Sequence, residues 1–456
     1  MAVTNPVYLL SLGCDKNRVD GEVMLGRLLA EGLSAVDTPE EAEIIIVNTC
    51  GFIREAVQES IDHILEMAAY KKSGICRALV VVGCMTERYR AEMKAEMPEV
   101  DAILGVADRD GIAAVVQGLL SPEGVHQREG TANEDPLRFR LLARKNTAYP
   151  HIAYVKIAEG CDNHCAYCTI PAIRGGYKSR EMPEILEECK ALIDSGVREL
   201  VLVAQDTALY GKDVYGGPRL AELLRELDAL CGASGDEIWL RLLYAYPEHI
   251  TPELIQALGA LPSVCKYLDM PIQHSEDAVL ARMGRAGSRD ALKDLLCRLR
   301  AQVPGIVLRT TLMVGFPGER EVDFRGLYAF VKEARFDRLG VFPYSQEAGT
   351  PAASMPRQIK DEVKHRRRDA LMALQQRIHR RKQRDKIGVP LAVMVDGPGD
   401  APGEDYIGRT RGDAHEVDAV VYFSSPLALA PGQIVQVCPV DADEYDLYGA
   451  RHEPSE

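Results

Sequence analysis

Short apolar runs alternate with amphipathic stretches over the first 120 residues. VYLLSLGC, EIIIVNTC and ALVVVGC have the composition of buried strands, and each ends at a cysteine. The stretch REAVQESIDHILEMAAYKKSG, which lies between the second and third runs, has the 3.6-residue period of a helix. Strands and helices in alternation are typical of a parallel sheet. We therefore expect an N-terminal α/β domain over residues 1–120.

The same alternation recurs on a larger scale between residues 151 and 355. Six strand candidates are separated by helical segments, and they are IAYVKIA, ELVLVAQD, IWLRLLYAYP, YLDMPIQ, VLRTTLMVGFPG and RLGVFPYS. Six βα units predict a partial barrel with its chemistry at the C-terminal ends of the strands. Residues 121–150 are polar and interrupted by proline, and we predict a linker there.

The C-terminal part of the chain changes character twice. Residues 356–386 are predicted to be a connecting segment built on one long basic helix, which starts near residue 359. From residue 387 to 456, four short β-runs are separated by Gly and Pro, namely LAVMVD, DYIGRTRG, VDAVVYF and QIVQVCPV. That spacing predicts a small closed β-barrel. The predicted fold class is therefore α/β, with two α/β domains followed by a small barrel.

Composition narrows the cellular setting. Hydrophobic residues make up 46% of the chain and charged residues 27%, which is typical of a globular protein. The first residues have no basic leader pattern, and no apolar run is long enough to span a bilayer. We therefore expect a cytoplasmic protein that does not contact a membrane. In that reducing compartment, clustered cysteines indicate metal binding or catalysis rather than a disulfide framework.

Three cysteines lie close together at Cys161, Cys165 and Cys168, with the spacing C-x3-C-x2-C. Thiolates suit zinc or iron–sulfur clusters, and a structural zinc site needs a fourth ligand. One interpretation is a zinc-stabilised loop with His164 as that ligand. The other is a four-iron cluster that leaves one iron open for a small molecule. We favour the cluster because no second pair of cysteines follows downstream.

A second triad is spread along the N-terminal domain. Cys14, Cys50 and Cys84 each follow an apolar run, with thirty-five and thirty-three residues between them. Each interval fits one βα repeat, so the three sulfurs are expected at one edge of the parallel sheet. The alternative is that they are small buried residues near strand ends. The remaining cysteines are predicted to be packing residues, and they are Cys76, Cys189, Cys231, Cys265, Cys297 and Cys438.

Seven stretches together resemble the methylthiotransferase family of radical S-adenosylmethionine enzymes. They are SLGCDKNRVDGE, VNTCGFI, VVGCMTERY, EGCDNHCAYCTIPAIRGG, YLDMPIQHSEDAVLARMGR, LMVGFPGERE and FPYSQEAGTPA. The aromatic residue before the third cysteine of the radical signature is Tyr167. The resemblance covers nearly the whole chain and implies an N-terminal methylthiotransferase domain, a radical S-adenosylmethionine core and a C-terminal TRAM domain.

The resemblance also implies the cofactors. Cys161, Cys165 and Cys168 would ligate the [4Fe-4S] cluster that generates the radical from S-adenosylmethionine. Cys14, Cys50 and Cys84 would ligate an auxiliary [4Fe-4S] cluster that delivers sulfur. Residues expected to contact S-adenosylmethionine are Tyr167, Arg174, Arg180 and Gln205, and no catalytic residue beyond the cluster ligands is assigned. Asp206, Gln273 and His274 also end strands and are expected to contact cofactor or substrate, and for these three and Gln205 ordinary strand-end hydrogen bonding is the alternative. The loop GFPGE (315–319) is, by the resemblance, a strand-end turn near the cofactor.

Two features bear on the substrate, which in this family is either a tRNA adenosine or an aspartate in the twelfth protein of the small ribosomal subunit. The run Asp15-Lys16-Asn17-Arg18 resembles the ribosomal-protein branch. The terminal barrel, from Ile387 to Glu456, has three basic and thirteen acidic residues and a net charge of −10. Such a surface repels RNA and attracts a basic protein. We predict methylthiolation of the aspartate β-carbon, with unidentified electron and sulfur donors and no tRNA partner.

The basic helix complicates this picture. Residues 359–386 carry eleven Lys and Arg against four acidic residues, a net charge of +7. It is either a solvated face over a packed stripe of Leu371, Leu374 and Ile378 or a contact to ribosomal RNA, and we favour the solvated face. Two alternative functions stay open: a tRNA-adenosine methylthiotransferase and a non-catalytic, zinc-stabilised protein that docks on the ribosome.

Overall fold

The computed structural model describes residues 5–121, 128–129, 144–147, 149–399 and 404–452. Two compact units divide the chain. The N-terminal unit comprises Met1–Thr147, Ala158–Asp162 and Cys168–Ser179, and the larger unit comprises Ala148–Ile157, Asn163–Tyr167 and Arg180–Glu456. Most of the predicted linker, 121–150, lies outside the described residues. The five-part division of the chain stays a prediction. Within the described ranges, no helix is long and apolar enough to cross a membrane.

A six-stranded parallel sheet forms the centre of the N-terminal unit. Its strands are β1 (Pro6–Ser11), β2 (Ser34–Ala35), β3 (Ile44–Thr49), β4 (Ala78–Gly83), β5 (Ala102–Leu104) and β6 (Arg128–Glu129). They follow the order β2-β1-β3-β4-β5-β6. The strand order reverses direction between β1 and β3, and open α/β sheets bind ligands at such a switch point, beyond the carboxyl ends of the strands.

Helices cover both faces of this sheet, which explains the continuous apolar runs. They are α1 (Asp15–Ala30), α2 (Arg54–Ser73), α3 (Cys84–Glu96) and α4 (Ile112–Leu120). On β3, Ile44 and Ile46 pack with residues of α1 and α4, whereas Ile45 and Val47 pack with residues of α2 and α3. A strand that is buried on both faces cannot alternate apolar with polar residues.

The next part of the chain contributes to both units. Strand β7 (Ile152–Lys156) belongs to the larger unit. The short strand β8 (Ala158–Glu159), helix α5 (Ile170–Arg174) and strand β9 (Lys178–Ser179) belong to the N-terminal unit. Strands β8 and β9 pair antiparallel. The N-terminal unit therefore includes residues that surround the C-x3-C-x2-C motif.

The larger unit contains the predicted partial barrel. Its further strands are β10 (Glu199–Val203), β11 (Trp239–Leu242), β12 (Tyr267–Asp269), β13 (Val307–Val314) and β14 (Arg338–Pro343). Parallel pairing gives β7-β10-β11 and β12-β13-β14. Leu240 of β11 also forms an isolated parallel bridge with Val264, which precedes β12. The flanking helices are α6 (Met182–Asp194), α7 (Lys212–Tyr215), α8 (Leu220–Ala233), α9 (Pro252–Ala260), α10 (Asp277–Arg282), α11 (Arg289–Gln302) and α12 (Glu321–Ala334).

The C-terminal region follows the sequence prediction. Helix α13 (Asp361–Arg384) buries Leu371, Leu374 and Ile378. It leads into a closed barrel of β15 (Leu391–Pro398), β16 (Tyr406–Thr410), β17 (Val421–Ser424), β18 (Ile434–Ala442) and β19 (Leu447–Arg451). The α/β fold class with a small terminal barrel is confirmed. The sequence prediction does not include β2, β5, β6, β9 and β19, since none of these short strands lies in a long apolar run.

Several acidic residues of the barrel are buried rather than displayed. Asp396 pairs with Arg409 at 2.7 Å and with His151 at 2.9 Å. Asp413 pairs with Arg338, and the Asp418 carboxylate accepts a hydrogen bond from the Tyr267 hydroxyl at 2.7 Å. These carboxylates attach the barrel to the partial barrel within the larger unit. The net charge of −10 therefore overstates the negative charge that a partner meets.

Candidate functional site

Three cysteines of the N-terminal unit lie at the carboxyl ends of adjacent strands. Cys14 precedes α1, three residues beyond the end of β1, Cys50 directly follows β3, and Cys84 directly follows β4 and begins α3. In the register of the sheet, Thr49 is opposite Gly83, so Cys50 and Cys84 leave the sheet side by side. The predicted convergence at one sheet edge agrees with this placement. The N-terminus of α1 follows Cys14 and that of α3 begins at Cys84, and helix N-termini carry partial positive charge.

Glycines bring the backbone at these strand ends close together. Gly13 has φ +87°, and a Cβ there would lie 2.7 Å from the Cβ of Cys50. Gly83 has φ +107°, and a Cβ there would lie 2.6 Å from the Thr49 carbonyl oxygen. Only glycine combines a left-handed backbone with such close approach. The pairs Gly13-Cys14 and Gly83-Cys84 are thus part of the triad's construction.

Burial disfavours the thiolate forms of Cys50 and Cys84. Burial raises the pKa of Cys50 to about 11, and the sulfurs of Cys14 and Cys84 raise it further. Burial also raises the pKa of Cys84, which Arg174 opposes. Free thiols with raised pKa values are protonated at neutral pH, so binding a metal there releases protons.

Asn17 holds the first two strand ends together. Its side-chain amide donates hydrogen bonds to the Leu12 carbonyl at 2.7 Å and to the Thr49 carbonyl at 3.2 Å. The Asn48 amide donates in return to the Asn17 carbonyl at 2.7 Å. The loops that carry Cys14 and Cys50 are therefore fixed to each other by buried hydrogen bonds.

Arg174, expected from the resemblance near S-adenosylmethionine, points to the N-terminal triad. Its Nη2 lies 3.2 Å from Cys84 Sγ and 3.3 Å from Asn17 Oδ1. Its Nη1 donates to Asp20 at 2.9 Å and to Glu159 at 3.0 Å. All of these groups belong to the N-terminal unit. Its predicted contact with S-adenosylmethionine stays a prediction.

The N-terminal triad fits an iron–sulfur cluster by its donor set and its enclosure. Its ligands are three thiols on glycine-shaped turns beside two helix N-termini, a set that suits soft, cluster-type iron. No three His, Cys, Asp or Glu side chains in the described part of the chain are arranged to hold one metal ion. Four-iron clusters are held by cysteine thiolates, and such a cluster would be held here by Cys14, Cys50 and Cys84.

The cysteines of the C-x3-C-x2-C motif divide between the two units. In the N-terminal unit, the Cys161 amide donates to the Gly175 carbonyl at 3.1 Å, and Cys168 Sγ accepts from the Ile170 amide at 3.5 Å. In the larger unit, Cys165 is buried and its Sγ lies 2.7 Å from the Tyr246 hydroxyl. The three cysteines are therefore grouped by their spacing in the sequence, and each is described with the neighbours in its own unit.

Two of the other predicted residues have clear neighbours in the larger unit. The Tyr167 ring meets the edge of Phe316, from the loop GFPGE, at 6.4 Å between centroids. Arg180 is buried and donates to Glu188 at 2.5 Å and to the Lys156 carbonyl at 2.9 Å. These contacts place Tyr167 beside the predicted glycine-rich loop, whereas Arg180 is held by a carboxylate.

The strand-end residues differ in how they are held. Gln205 is half-buried just after β10. Asp206 accepts hydrogen bonds from Asn163 at 3.0 Å and pairs with His249 at 2.6 Å. Gln273 has φ +65°, and burial lowers the pKa of His274 to about 3. His274 Nδ1 accepts a hydrogen bond from the Glu276 amide at 3.0 Å. Asp206 and His274 therefore make structural hydrogen bonds, and their roles toward a cofactor stay predictions.

Sequence reasoning missed the side chains that support the cysteines. Asn17 counted only as part of a branch motif, and Asp20, Glu159 and Tyr246 were not singled out. Short hydrophobic strands flanked by isolated polar residues gave no signal of their pairing across the fold. Among the six cysteines predicted to pack, Cys297 is exposed, and the packing prediction is wrong for it because it lies on the solvent face of α11.

Three protein families match consecutive parts of the chain. Residues 6–105 match the family described as uncharacterized protein family UPF0004, residues 155–331 match the radical SAM superfamily, and residues 387–451 match the TRAM domain. Fold and matches together define a radical S-adenosylmethionine enzyme with an N-terminal UPF0004 domain and a C-terminal TRAM barrel.

Curated relatives match over nearly the full length. Proteins called ribosomal protein uS12 methylthiotransferase RimO from Acetivibrio thermocellus and Pelotomaculum thermopropionicum are each 46% identical, covering 97% of this chain and 97% and 98% of theirs. The protein of that name from Geobacter sulfurreducens is 45% identical over 97% of this chain and 98% of its own. The chain belongs to the RimO family of ribosomal protein uS12 methylthiotransferases, and the resemblance found in the sequence is confirmed.

Solved structures support the fold alone. The radical S-adenosylmethionine methyltransferase TsrM from Kitasatospora setae, with cobalamin and a [4Fe-4S] cluster bound, superposes with a TM-score of 0.56 at 15% identity, covering 76% of this chain and 74% of that one. A second TsrM structure, with tryptophan and a SAM analogue, gives a TM-score of 0.55 at 14% identity, covering 88% and 80%.

Proposed function

We propose that this chain methylthiolates ribosomal protein uS12 by radical S-adenosylmethionine chemistry, at the β-carbon of an aspartate. The observation that carries the proposal is the RimO relatives' identity of about 46% over 97% of the chain, joined to two cysteine triads at the expected positions. Membership of that family disfavours both alternatives, the tRNA enzyme and the zinc-stabilised docking protein.

Two cluster sites follow from the cysteines. Cys161, Cys165 and Cys168 would hold the [4Fe-4S] cluster that works with S-adenosylmethionine, and Cys14, Cys50 and Cys84 would hold a second one. When bound, these groups supply the radical and sulfur chemistry that replaces an inert C–H bond with C–S–CH3. Three thiolates would leave one iron of each cluster without a protein ligand.

The protein's own residues position these ligands. Gly13 and Gly83 allow the strand ends of the N-terminal triad to approach, and Asn17 fixes two of them. In the larger unit, Tyr246 orients the Cys165 sulfur through its hydroxyl, while the Arg285 guanidinium packs over the Tyr246 ring at 3.5 Å. A buried aromatic ring beside a ligand both fixes its direction and excludes water.

The terminal barrel supplies charge for a basic substrate. After removal of the buried carboxylates, exposed and half-exposed acids still outnumber cations on the described barrel, and they include Asp405, Glu416, Asp441 and Glu444. Negative potential raises the encounter rate with a positively charged protein and falls off with added salt. Binding of uS12 is therefore expected to weaken as ionic strength rises.

The test is the mass of uS12 from cells that lack the gene and are complemented with wild type or with Cys165→Ala. Wild type is expected to add the mass of a methylthio group in place of hydrogen at one aspartate, and the variant to add nothing. Nucleosides from tRNA digests of the same cells serve as the control and should not change. An unmodified uS12 with wild type present, or loss of a methylthioadenosine only, contradicts the proposal.

A further inference from the structure

The environment of Cys84 contains a charged side chain that the cluster chemistry does not require. Arg174 is 1% exposed, and its Nη2 is directed at Cys84 Sγ at 3.2 Å. Most buried arginines satisfy carboxylates or carbonyl oxygens with both terminal nitrogens. In Arg174, Nη1 donates to the two carboxylates, whereas Nη2 donates to the Cys84 sulfur and the Asn17 amide oxygen. The two ends of the guanidinium group therefore bind different kinds of acceptor.

Arg174 and Arg109 share two buried carboxylates. Asp20 receives Arg174 and Arg109 on separate oxygens, at 2.9 and 2.6 Å, and Glu159 receives Arg174 at 3.0 Å. These two arginines and two carboxylates are each at most 5% exposed. Arg174 makes its ion pairs through Nη1, so the Nη2 N–H directed at Cys84 is separate from them.

The local fold fixes the direction of this side chain. Arg174 is the last residue of α5, and Gly175 ends that helix with φ +74°. Ile173 packs against Cys84 and Val106, and the Thr169 hydroxyl donates to the Phe52 carbonyl at 3.4 Å. Helix α5 is thus held on the strand ends that carry the triad.

We propose that Arg174 is a positioning residue for the N-terminal cluster, whose hydrogen bond to the Cys84 sulfur raises the reduction potential of that cluster. A cluster gains negative charge when reduced, and donors to its ligand sulfurs stabilise the reduced form. Removal of the donor shifts the potential in the negative direction. This inference rests on the second cluster of the proposed function.

The experiment uses the full chain with Cys161, Cys165 and Cys168 replaced by alanine, so that any cluster present is the N-terminal one. After anaerobic reconstitution, its potential is measured by a redox titration followed by electron paramagnetic resonance. Two neutral double variants are compared in this background: R174Q/E159Q and R109Q/E159Q. Each removes one arginine and the same carboxylate, so they differ only in which arginine remains.

The expected result is a more negative potential in R174Q/E159Q with iron content retained, and the parental potential in R109Q/E159Q, where Arg174 still reaches Cys84. R174K keeps the charge but not the fork, and is expected to lie between. Equal potentials in the parent and R174Q/E159Q overturn the inference. Equal shifts in the two double variants also overturn it, because they would show that the potential depends on the ion pairs and not on the hydrogen bond to Cys84. A parent that binds no iron overturns the two-cluster proposal itself, so the two failures are distinguishable.

Discussion

The two cysteine triads are assembled in opposite ways. Cys14, Cys50 and Cys84 come from three strand ends more than thirty residues apart in sequence, and the parallel sheet brings them to one edge. Cys161, Cys165 and Cys168 lie within eight residues, so chain connectivity alone keeps them near one another. The first triad depends on the fold for its geometry, and the second depends on one loop. Disturbing the sheet should therefore damage one cluster and spare the other.

The largest expected effect separates the triads by chemistry. Alanine at Cys161, Cys165 and Cys168 should abolish cleavage of S-adenosylmethionine, whereas alanine at Cys14, Cys50 and Cys84 should spare cleavage and stop the methylthio product. The measurements are 5′-deoxyadenosine release and the mass of uS12. Each set should also lose about half of about eight irons per chain, as expected for two four-iron cubes. Equal loss of S-adenosylmethionine cleavage in both sets would contradict the separate roles of the two triads.

A smaller effect is expected from Gly13→Ala, which disturbs only the sheet-built triad. The new Cβ would clash with Cys50, and the alanine would have to keep a left-handed backbone at φ +87°. Strain of about 1–2 kcal/mol and overpacking of about 1–3 kcal/mol should lower the free energy of unfolding and the iron content of the N-terminal triad. Both measurements use the chain with Cys161, Cys165 and Cys168 replaced. Urea unfolding gives the free energy of unfolding, and iron analysis gives the iron content of the N-terminal triad.

Gly32→Ala is the matched control for that change. Gly32 has φ +89°, but a Cβ there meets nothing within 4 Å. It should show the backbone strain alone and keep its iron. If Gly32→Ala loses as much iron as Gly13→Ala, crowding at Cys50 is not the cause.

The smallest expected effect is that of Tyr246→Phe, which removes the hydroxyl 2.7 Å from Cys165 Sγ and keeps the ring under Arg285. One lost hydrogen bond is worth about 0.5–1.5 kcal/mol. The potential of the cluster on Cys161, Cys165 and Cys168 should fall slightly, while the N-terminal cluster stays unchanged. Electron paramagnetic resonance measures the first potential in the chain with Cys14, Cys50 and Cys84 replaced, and the second in the chain with Cys161, Cys165 and Cys168 replaced. A shift of the N-terminal potential alone would contradict the prediction and show that the hydroxyl acts indirectly.

The same contrast explains what could be predicted from the sequence. The strands before Cys14, Cys50 and Cys84 were predicted because both faces of the sheet are covered, which leaves long apolar runs. The loop triad was predicted from spacing alone. Arg174 was predicted as a ligand-binding residue, yet its contacts with Asp20 and Cys84 join residues 154 and 90 positions apart. No local periodicity encodes such a pairing, and the same holds for Tyr246 beside Cys165.

The charge of the barrel illustrates a different limit. Counting residues gave −10, but Asp396, Asp413 and Asp418 are consumed by contacts with His151, Arg338, Arg409 and Tyr267. A sequence cannot tell a displayed carboxylate from one that attaches two parts of a fold. Asp400, Glu453 and Glu456, which also entered the count, lie outside the described residues.

The N-terminal unit includes the segments Ala158–Asp162 and Cys168–Ser179, although its main part ends at Thr147. A fragment cut at Thr147 would lack Glu159, Ile173 and Arg174, so Asp20 would lose its ion pair with Arg174 and Cys84 would lose its contacts with Ile173 and Arg174. An isolated N-terminal fragment that ends at Thr147 is therefore expected to be unstable. For the same reason, exchange of residues 1–147 between relatives by recombination would require the loop around Cys161, Cys165 and Cys168 to be exchanged as well.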